Sequence, residues 1–376
     1  MSNKPVPTGE YAVGAKTFTL YNTRKEALDP KGTAMRNVFG LLYYPVLKES
    51  TEGLKRAKSL TRSEAAGLRK AFNIPLNYDK LDQNGENDSE SFVDAPFIEG
   101  KKFPLIVFSH GYFSYPRGNS FLLIELASHG YAVLSIGHPR EASGIDYDDG
   151  TFELCDKSLS RKMYDPFLPA IFAALKLTKM KGTNEELAEK FDVFQNKYCK
   201  FHHLRIAEWV KDTELAVEHV RKEFSDVIDF SNGIGISGHS LGGDTAYALC
   251  QTSSDYSCGI NIDGGLFGNY EGMVMEKPFM QISCEDNENV VTRGYIRHKA
   301  PAYKVLFRGM KHVGFSDMKF AMKMPSFVGK LDSNLAHRYT CRCHLEFFDA
   351  FLKKLKSAPE IESNGDITFT EFAPDM

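Results

Sequence analysis

Gly238-His239-Ser240-Leu241-Gly242 stands between two segments of opposite character. Before it, Gly233-Ile234-Gly235-Ile236-Ser237 reads as a short buried strand. After it, Asp244-Thr245-Ala246-Tyr247-Ala248-Leu249-Cys250 reads as a helix with small residues where it must pack closely. A G-x-S-x-G stretch at a strand-to-helix turn is where a hydrolytic serine nucleophile is made: the serine takes a strained backbone conformation, and the glycines let neighbouring main chains approach without meeting a side chain. With 30 glycines in 376 residues the pattern alone is weak. Its flanks, and what lies further out, carry the argument.

Apolar runs of strand length alternate with helical periodicity along most of the chain, which predicts an α/β fold with a mainly parallel central sheet and helices on both faces. Tyr11 to Tyr21 and Val38 to Val46 read as early strands, Pro104 to Phe108 as a buried strand, Gly118 to His129 as a helix closed by Gly130, and Tyr131 to Ile136 as the next strand. A helix over Arg205 to Phe224 places Ile206, Trp209, Val210, Thr213, Val217, Val220 and Phe224 on one face. Beyond the serine, strands are expected at Gly259 to Ile262, Phe279 to Cys284 and Tyr303 to Phe307. The last helix is expected from about His337 to Leu355, with Cys341, Leu345, Phe348, Leu352 and Leu355 on a stripe. The whole, residues 1–376, reads as one domain with two insertions. One is polar, 49–99, with Asp82 to Glu90 as a solvated loop; the other is helical, 151–204, a candidate lid without strand runs.

A chain that is 42% hydrophobic and 12% aromatic can bury a large core. A net charge of -3 without a basic stripe gives no footprint for nucleic acid. No stretch approaches the roughly 18 apolar residues of a membrane span, and Ser2 does not offer the glycine that N-myristoylation needs. Seven scattered cysteines, an odd number, fit reduced thiols and a cytoplasmic location better than a disulfide framework.

A serine hydroxyl needs a histidine to take its proton and a carboxylate to orient that histidine. In the α/β-hydrolase arrangement the order along the chain is Ser, acid, His, each in a loop at the carboxyl end of a strand. After Ser240 the histidines are His298, His312, His337 and His344, and His312 alone lies in a glycine-containing loop directly after an expected strand. Two acids fit equally. Asp263 ends Ile260-Asn261-Ile262 ahead of Gly264-Gly265, and Asp286 follows the next strand in Ser283-Cys284-Glu285-Asp286. The oxyanion needs two backbone donors. Leu241 N–H, directly after the nucleophile, is one candidate; Tyr112 N–H, in Ser109-His110-Gly111-Tyr112-Phe113 after the Pro104 to Phe108 strand, is the other. This chemistry calls for no metal and no organic cofactor.

Two groups of three stretches give a resemblance. Phe103-Pro104-Leu105-Ile106-Val107-Phe108-Ser109-His110-Gly111, Leu126-Ala127-Ser128-His129-Gly130-Tyr131 and His138-Pro139-Arg140 form the first. The elbow with Gly243, Cys258-Gly259-Ile260-Asn261-Ile262-Asp263, and His312-Val313-Gly314-Phe315-Ser316-Asp317 follow in order. Together they resemble the platelet-activating factor acetylhydrolases of the plasma and type II intracellular group. The resemblance implies the α/β-hydrolase fold and a calcium-independent, phospholipase A2-type serine esterase acting on short or oxidised sn-2 acyl groups; the partner expected is a small-molecule or phospholipid ester, a substrate that leaves room for transient contact with a membrane surface. It also implies Asp263 as the acid, through the Cys-Gly-Ile-x-x-Asp context. The alternatives are a general short-chain esterase or polyester hydrolase of cutinase or dienelactone hydrolase type with Asp286 as acid, and a non-catalytic binding protein on the same fold.

Two further stretches raise other chemistry. Cys341-Arg342-Cys343-His344 suggests a metal, but four adjacent helical residues cannot face one ion. Phe167, Leu168, Ile171, Phe172, Leu175 and Leu177 form an apolar patch inside the helical insertion, whose simplest expectation is packing on the body. The alternative is a lid or interfacial helix in contact with lipid.

Overall fold

Long β-rich runs near the N-terminus and short apolar runs after residue 230 give two different sheet architectures. The computed structural model describes residues 4–29, 31–74, 76–322 and 324–374. The chain divides into two compact units, Met1–Lys157 with Glu208–Ser231, and Ser158–Ala207 with Asn232–Met376.

In the first unit, β1 (Ala12–Lys25) and β2 (Met35–Val46) pair antiparallel from Ala12 opposite Val46 to Lys25 opposite Met35. The 49–99 segment is more structured than its polarity suggests. It holds β3 (Arg56–Lys58), α1 (Arg62–Phe72), α2 (Tyr78–Gln83) and β4 (Asp88–Val93), and β4 runs parallel to β1. The expected loop at Asp82 to Glu90 is therefore the end of a helix, a turn and the start of a strand. Hydropathy misses this strand because two of its inward positions are Ser89 and Ser91, buried and bonded Oγ to Oγ at 2.8 Å. Next come β5 (Phe103–Ser109), α3 (Ser120–Ser128) and β6 (Ala132–Gly137); β5 and β6 are parallel, and β6 joins β2 antiparallel. Every residue of α3 is buried, as expected for a helix apolar around its whole circumference. A small hairpin, β7 (Gly144–Asp146) with β8 (Phe152–Leu154), opens the 151–204 segment, so that region does contain strand. The two-residue β9 (Ile228–Asp229) pairs with the start of β5.

The second unit carries α4 (Phe167–Thr178), α5 (Asn184–Tyr198) and the first turns of α6 (Lys200–Glu223), which continues into the first unit. A capping box between Thr183 and Glu186 starts α5. On α4 the expectation of packing fails for most of the patch. Leu177 is buried, whereas Phe167, Leu168, Phe172 and Leu175 are exposed, because Ala170, Ala173, Ala174 and Leu177 form the inward face.

The core sheet of this unit is β10 (Ile234–His239), β11 (Tyr256–Ile262), β12 (Phe279–Cys284) and β13 (Ala302–Phe307), all parallel, with the antiparallel edge strand β14 (Ile367–Phe372) beside β13. Register aligns the strand ends: His239 lies opposite Ile262, Ile262 opposite Ile282, and Cys284 opposite Phe307. The residues that follow β10, β11, β12 and β13 therefore emerge at one edge of the sheet, the carboxyl end where open parallel sheets carry their sites. Helix α7 (Leu241–Thr252) is buried from Leu241 to Cys250. Two short helices, α8 (Met318–Ala321) and α9 (Pro325–Val328), precede α10 (Ser333–Phe351). The last helix stops short of Leu355 because Lys354 takes a left-handed backbone, and Leu355 is exposed.

Candidate active site

Ser240 sits at φ 57°, ψ -122°, between β10 and α7. A non-glycine residue there is strained and persists only where its surroundings fix it. Ser240 N–H donates to Ile262 O at 2.9 Å, and Ser240 O accepts from Gly243 N at 2.9 Å and Asp244 N at 3.2 Å. The glycines are steric necessities. A Cβ on Gly238 would stand 2.1 Å from Gly242 O, and one on Gly243 1.9 Å from Asn261 Oδ1.

Asp263 follows β11, also with a left-handed backbone at φ 57°. Asn261 shapes this turn: its amide donates to Gly264 O at 2.7 Å and its oxygen accepts from Gly264 N at 2.9 Å. The Asp263 carboxylate is buried and ringed by donors. Cys284 N–H reaches Oδ1 at 2.8 Å; Asn287 Nδ2 at 2.8 Å and Cys284 Sγ at 3.3 Å reach Oδ2. Burial and the adjacent Asp263 charge push the Cys284 thiol well above its ordinary range, so it stays protonated and donates.

His312 begins a short 3-10 turn after β13. Its Nδ1 is 2.7 Å from Asp263 Oδ2 and its Nε2 is 2.9 Å from Ser240 Oγ. A carboxylate only accepts, so Nδ1 carries the proton and Nε2 presents its lone pair to the serine hydroxyl. His239, the variable residue before the serine, lies with its ring 4.8 Å from that of His312, and its Nε2–H donates to His312 O at 3.0 Å. Asp286 turns elsewhere, to Lys311 Nζ at 2.5 Å on the surface. Of the sequence candidates, Ser240, Asp263, His312 and Leu241 come together at the carboxyl end of this sheet.

Sequence reasoning missed Asn261, Asn287, His239 and Asp244. Asp244, in the first turn of α7, accepts from Tyr270 Oη at 2.5 Å and Phe267 N at 2.7 Å, which ties the loop after Asp263 to the helix that begins beside Ser240. Burial lifts its carboxyl to about 7. No motif signals these residues. Asn287 does lie in the loop read as a source of the acid; that loop supplies donors to the acid.

The other oxyanion candidate, Tyr112, belongs to the first unit, in the turn after β5. Ser114 N–H donates to Gly111 O at 2.9 Å, and Phe113, at φ 60°, donates its N–H to Glu141 O at 2.9 Å. Below the turn lies a buried polar network. His110 Nδ1 bonds Gly111 O at 2.7 Å and its Nε2 accepts from His138 N at 3.3 Å, so the ring is neutral; burial drives its pKa to about 3. His138, pushed down by burial to about 4, stacks on Trp209 at 3.9 Å, donates from Nδ1 to Asp212 Oδ2 at 3.0 Å, and accepts from Ser109 Oγ at 3.3 Å. Burial alone would raise the Asp212 carboxyl. Arg36, with Nη2 at 2.7 Å, and the His138 hydrogen bond more than offset this and hold it far below the usual range. The Ser-His-Gly loop thus rests on an anchored base.

Cys343 and His344 are buried, His344 bonding Ser237 Oγ at 3.0 Å and Thr340 O at 2.8 Å, so these residues pack. Among the described residues no group of three or more His, Cys, Asp or Glu is placed to hold a metal ion.

Residues 2–366 match the family described as "Platelet-activating factor acetylhydrolase, isoform II". The chain belongs to this family. Among curated relatives, platelet-activating factor acetylhydrolase of Canis lupus familiaris is 25% identical over 389 residues, covering 96% of this chain and 80% of the dog protein. The Bos taurus protein of the same name is 27% identical over 290 residues, 72% of this chain and 62% of its own length. The chain thus spans between three fifths and four fifths of these relatives. In three dimensions it is similar to a ferulic acid esterase from Streptomyces cinnamoneus, with a TM-score of 0.72, 19% identity, and coverage of 97% of this chain and 98% of that one. At that identity the likeness concerns the fold alone, and the fold is that of the α/β-hydrolases.

Proposed function

We propose that this family member is a serine carboxylic ester hydrolase acting on phospholipid-like esters, and that it releases short or oxidised acyl groups from the sn-2 position. The observation that carries the reading is the unbroken relay from Ser240 Oγ through His312 to the buried Asp263, at 2.9 Å and 2.7 Å. The names of the dog and bovine relatives supply the substrate class.

Ser240 Oγ attacks the ester carbonyl while His312 Nε2 takes its proton. The N–H of Leu241, directly after the nucleophile at the start of α7, donates to the alkoxide of the tetrahedral intermediate. As the intermediate collapses, His312 returns the proton to the departing glycerol oxygen and an acyl-Ser240 remains. Water, deprotonated by His312, then attacks the acyl group and restores Ser240. Asp263 stays ionised throughout and stabilises the imidazolium that forms in each half-reaction. Every one of these transfers is carried by protein groups and water. No helix among the described residues is long and apolar enough to cross a membrane. Contact with lipid, in this reading, is transient and made at the membrane surface. The seven cysteines, all free and buried, favour a reducing compartment such as the cytoplasm.

A fluorophosphonate probe should label the protein and fail on Ser240→Ala; equal labelling of both would sink the assignment. Comparing short sn-2 acyl phospholipids with nitrophenyl esters tests the substrate class, and turnover of the latter alone would reduce the reading to a general esterase.

A further inference from the structure

Helix α4 breaks the ordinary rule for a surface helix. Phe167, Leu168, Phe172 and Leu175 are 52%, 66%, 71% and 53% exposed. At 100° per residue they fall within one sector of about 140°, a continuous apolar stripe. Four large apolar side chains held in water on one helix face mark an interaction surface. The inward face is already satisfied: Ala173, Ala174 and Leu177 pack against Phe191, Phe194 and Cys199.

The surroundings say what the stripe meets. Between residues 161 and 182 stand Arg161, Lys162, Lys176, Lys179 and Lys181 against Asp165 alone, a net +4 in a chain whose total is -3, and all five cations are exposed. Beside α4 opens a pocket of 520 Å³ lined by four cations, Arg161, Lys162, Lys197 and Lys200, against one carboxylate, Asp165, with Tyr198, Phe201 and Leu204 completing the wall. The acids of the neighbouring α5 are engaged elsewhere. Glu185 pairs with Arg297, which Glu189 also approaches at 3.8 Å, Asp192 pairs with Arg293, and Glu186 caps Thr183. Twelve residues span only about 18 Å, too short for the roughly 30 Å hydrocarbon core. An apolar helix face flanked by cations, and too short to cross, is built to lie in the interface of an anionic bilayer.

We propose that α4 docks the enzyme on anionic phospholipid surfaces, its apolar stripe entering the acyl boundary while Arg161, Lys162, Lys197 and Lys200 hold a lipid phosphate in the adjoining pocket. The end of α4 is tied to the turn that supplies a donor to Asp263. The carbonyls of Leu177, Thr178 and Met180 at the end of α4 accept from Asn289 Nδ2 at 3.2, 3.2 and 2.7 Å. Asn289 lies two residues from Asn287, the donor to Asp263, on the same 3-10 turn Glu285–Val290. The proposal rests on the phospholipid-esterase reading for its purpose, not for its chemistry.

The test is co-sedimentation of the full chain, as wild type and as Ser240→Ala, with vesicles of phosphatidylcholine alone or with 30 mol% phosphatidylglycerol, at 0.15 M salt. Both proteins should bind the anionic vesicles at least tenfold more tightly than the zwitterionic ones. Leu168→Asp/Phe172→Asp should lose that binding. Arg161→Glu/Lys162→Glu should weaken it by at least tenfold, at about fivefold per cation near an anionic surface. Turnover of a water-soluble short-chain ester should stay within twofold in both double variants, and this also reports that they fold. Equal binding by the Leu168/Phe172 variant, equal affinity for the two vesicle types, or a stripe that instead pairs two copies of the chain in sedimentation equilibrium would each overturn the proposal. If wild type fails on every ester and on the fluorophosphonate while the vesicle pattern holds, the esterase reading falls and the docking surface stands.

Discussion

Replacing Asp263 with Asn removes one charge and changes no shape, yet the structure leaves the new side chain no good orientation. All the neighbours of the carboxylate are donors: Cys284 N–H at Oδ1, and His312 Nδ1–H, Asn287 Nδ2 and the Cys284 thiol at Oδ2. If the Asn oxygen takes the Oδ2 place, its NH2 opposes Cys284 N–H at about the 2.8 Å now occupied by a hydrogen bond. If the NH2 takes the Oδ2 place, it opposes Asn287 and makes His312 Nδ1 an acceptor. The imidazole proton then moves to Nε2, facing Ser240 Oγ, where a lone pair is required. The wrong tautomer in a serine triad costs about 10⁴ in kcat, roughly 5.5 kcal/mol of transition-state stabilisation at 1.36 kcal/mol per decade. In addition, the buried clash should lower stability by about 1 to 3 kcal/mol. The assay is kcat and KM on a water-soluble short-chain ester, paired with a thermal melt. Asp286→Asn is the control: its carboxylate is exposed and paired with Lys311, so turnover should change by less than about threefold. Activity within tenfold of wild type in Asp263→Asn, with a collapse in Asp286→Asn, would refute the reasoning and move the acid to the loop after β12.

Asn287→Ala removes one donor from a buried carboxylate while leaving the triad complete; kcat on the same ester should fall about tenfold with KM unchanged, and an unaltered kcat would show that Asn287 is only a bystander. Gly238→Ala places a methyl 2.1 Å from Gly242 O, and the backbone shift this forces should cost about 3 kcal/mol or more, read as a lowered Tm and lost fluorophosphonate labelling. Stability should fall on acidification from pH 7 to 5. Burial depresses His110 and His202 to about 3 and His138 and His344 to about 4, so over this window the unfolded chain takes up protons that the folded one refuses. Each histidine contributes about 2 kcal/mol to that loss. Asp244, lifted to about 7, acts with the opposite sign and returns about 2 kcal/mol, leaving a net loss on the order of 5 kcal/mol in denaturant titrations. A flat profile between pH 7 and 5 would mean that these rings are hydrated in the folded state.

The strands and helices that hold the nucleophile were legible because they are buried on both faces, so that apolar runs such as Phe279–Cys284 mark them from end to end. His312, which bonds both Ser240 and Asp263, was singled out by elimination. Topology did not choose its carboxylate partner, since Asp263 and Asp286 each follow a strand; the Cys-Gly-Ile-x-x-Asp resemblance favoured Asp263, and in the structure Asp263 bonds His312 while Asp286 bonds Lys311. Periodicity also failed where burial is polar. Ser89 and Ser91 fill inward positions of a strand, and Arg36, Asp212 and His138 form a core of charge below the Ser109-His110-Gly111 turn. The two serines satisfy each other across two residues, whereas Arg36 and His138 meet Asp212 at 176 and 74 residues' separation, and a local window does not see partners at that distance. The α4 stripe misleads in the opposite direction, since an apolar face reads as core whether protein or another apolar phase covers it.

The polar turn Glu285-Asp286-Asn287-Glu288-Asn289 links the buried polar groups to the exposed apolar helix. By composition it is solvent-facing, and Asp286 does face solvent. But a 3-10 turn repeats every three residues, so adjacent side chains are about 120° apart and five polar residues in a row address all sides at once. Asn287 points inward to the Asp263 carboxylate, Asn289 to the carbonyl end of α4, and Glu288 to Lys304 on β13 at 2.5 Å. Amides at the two inward positions fit this placement better than acids would. An aspartate at 287 would set a second carboxylate against Asp263, and one at 289 would face three carbonyl oxygens with no proton to offer. In this run the amides therefore stand where acceptors must be met, and the acids where solvent or a lysine can receive them. The same turn that orients the acid also fixes the end of the exposed apolar helix, so a load on α4 at a lipid surface is borne by residues two positions from the donor that holds Asp263.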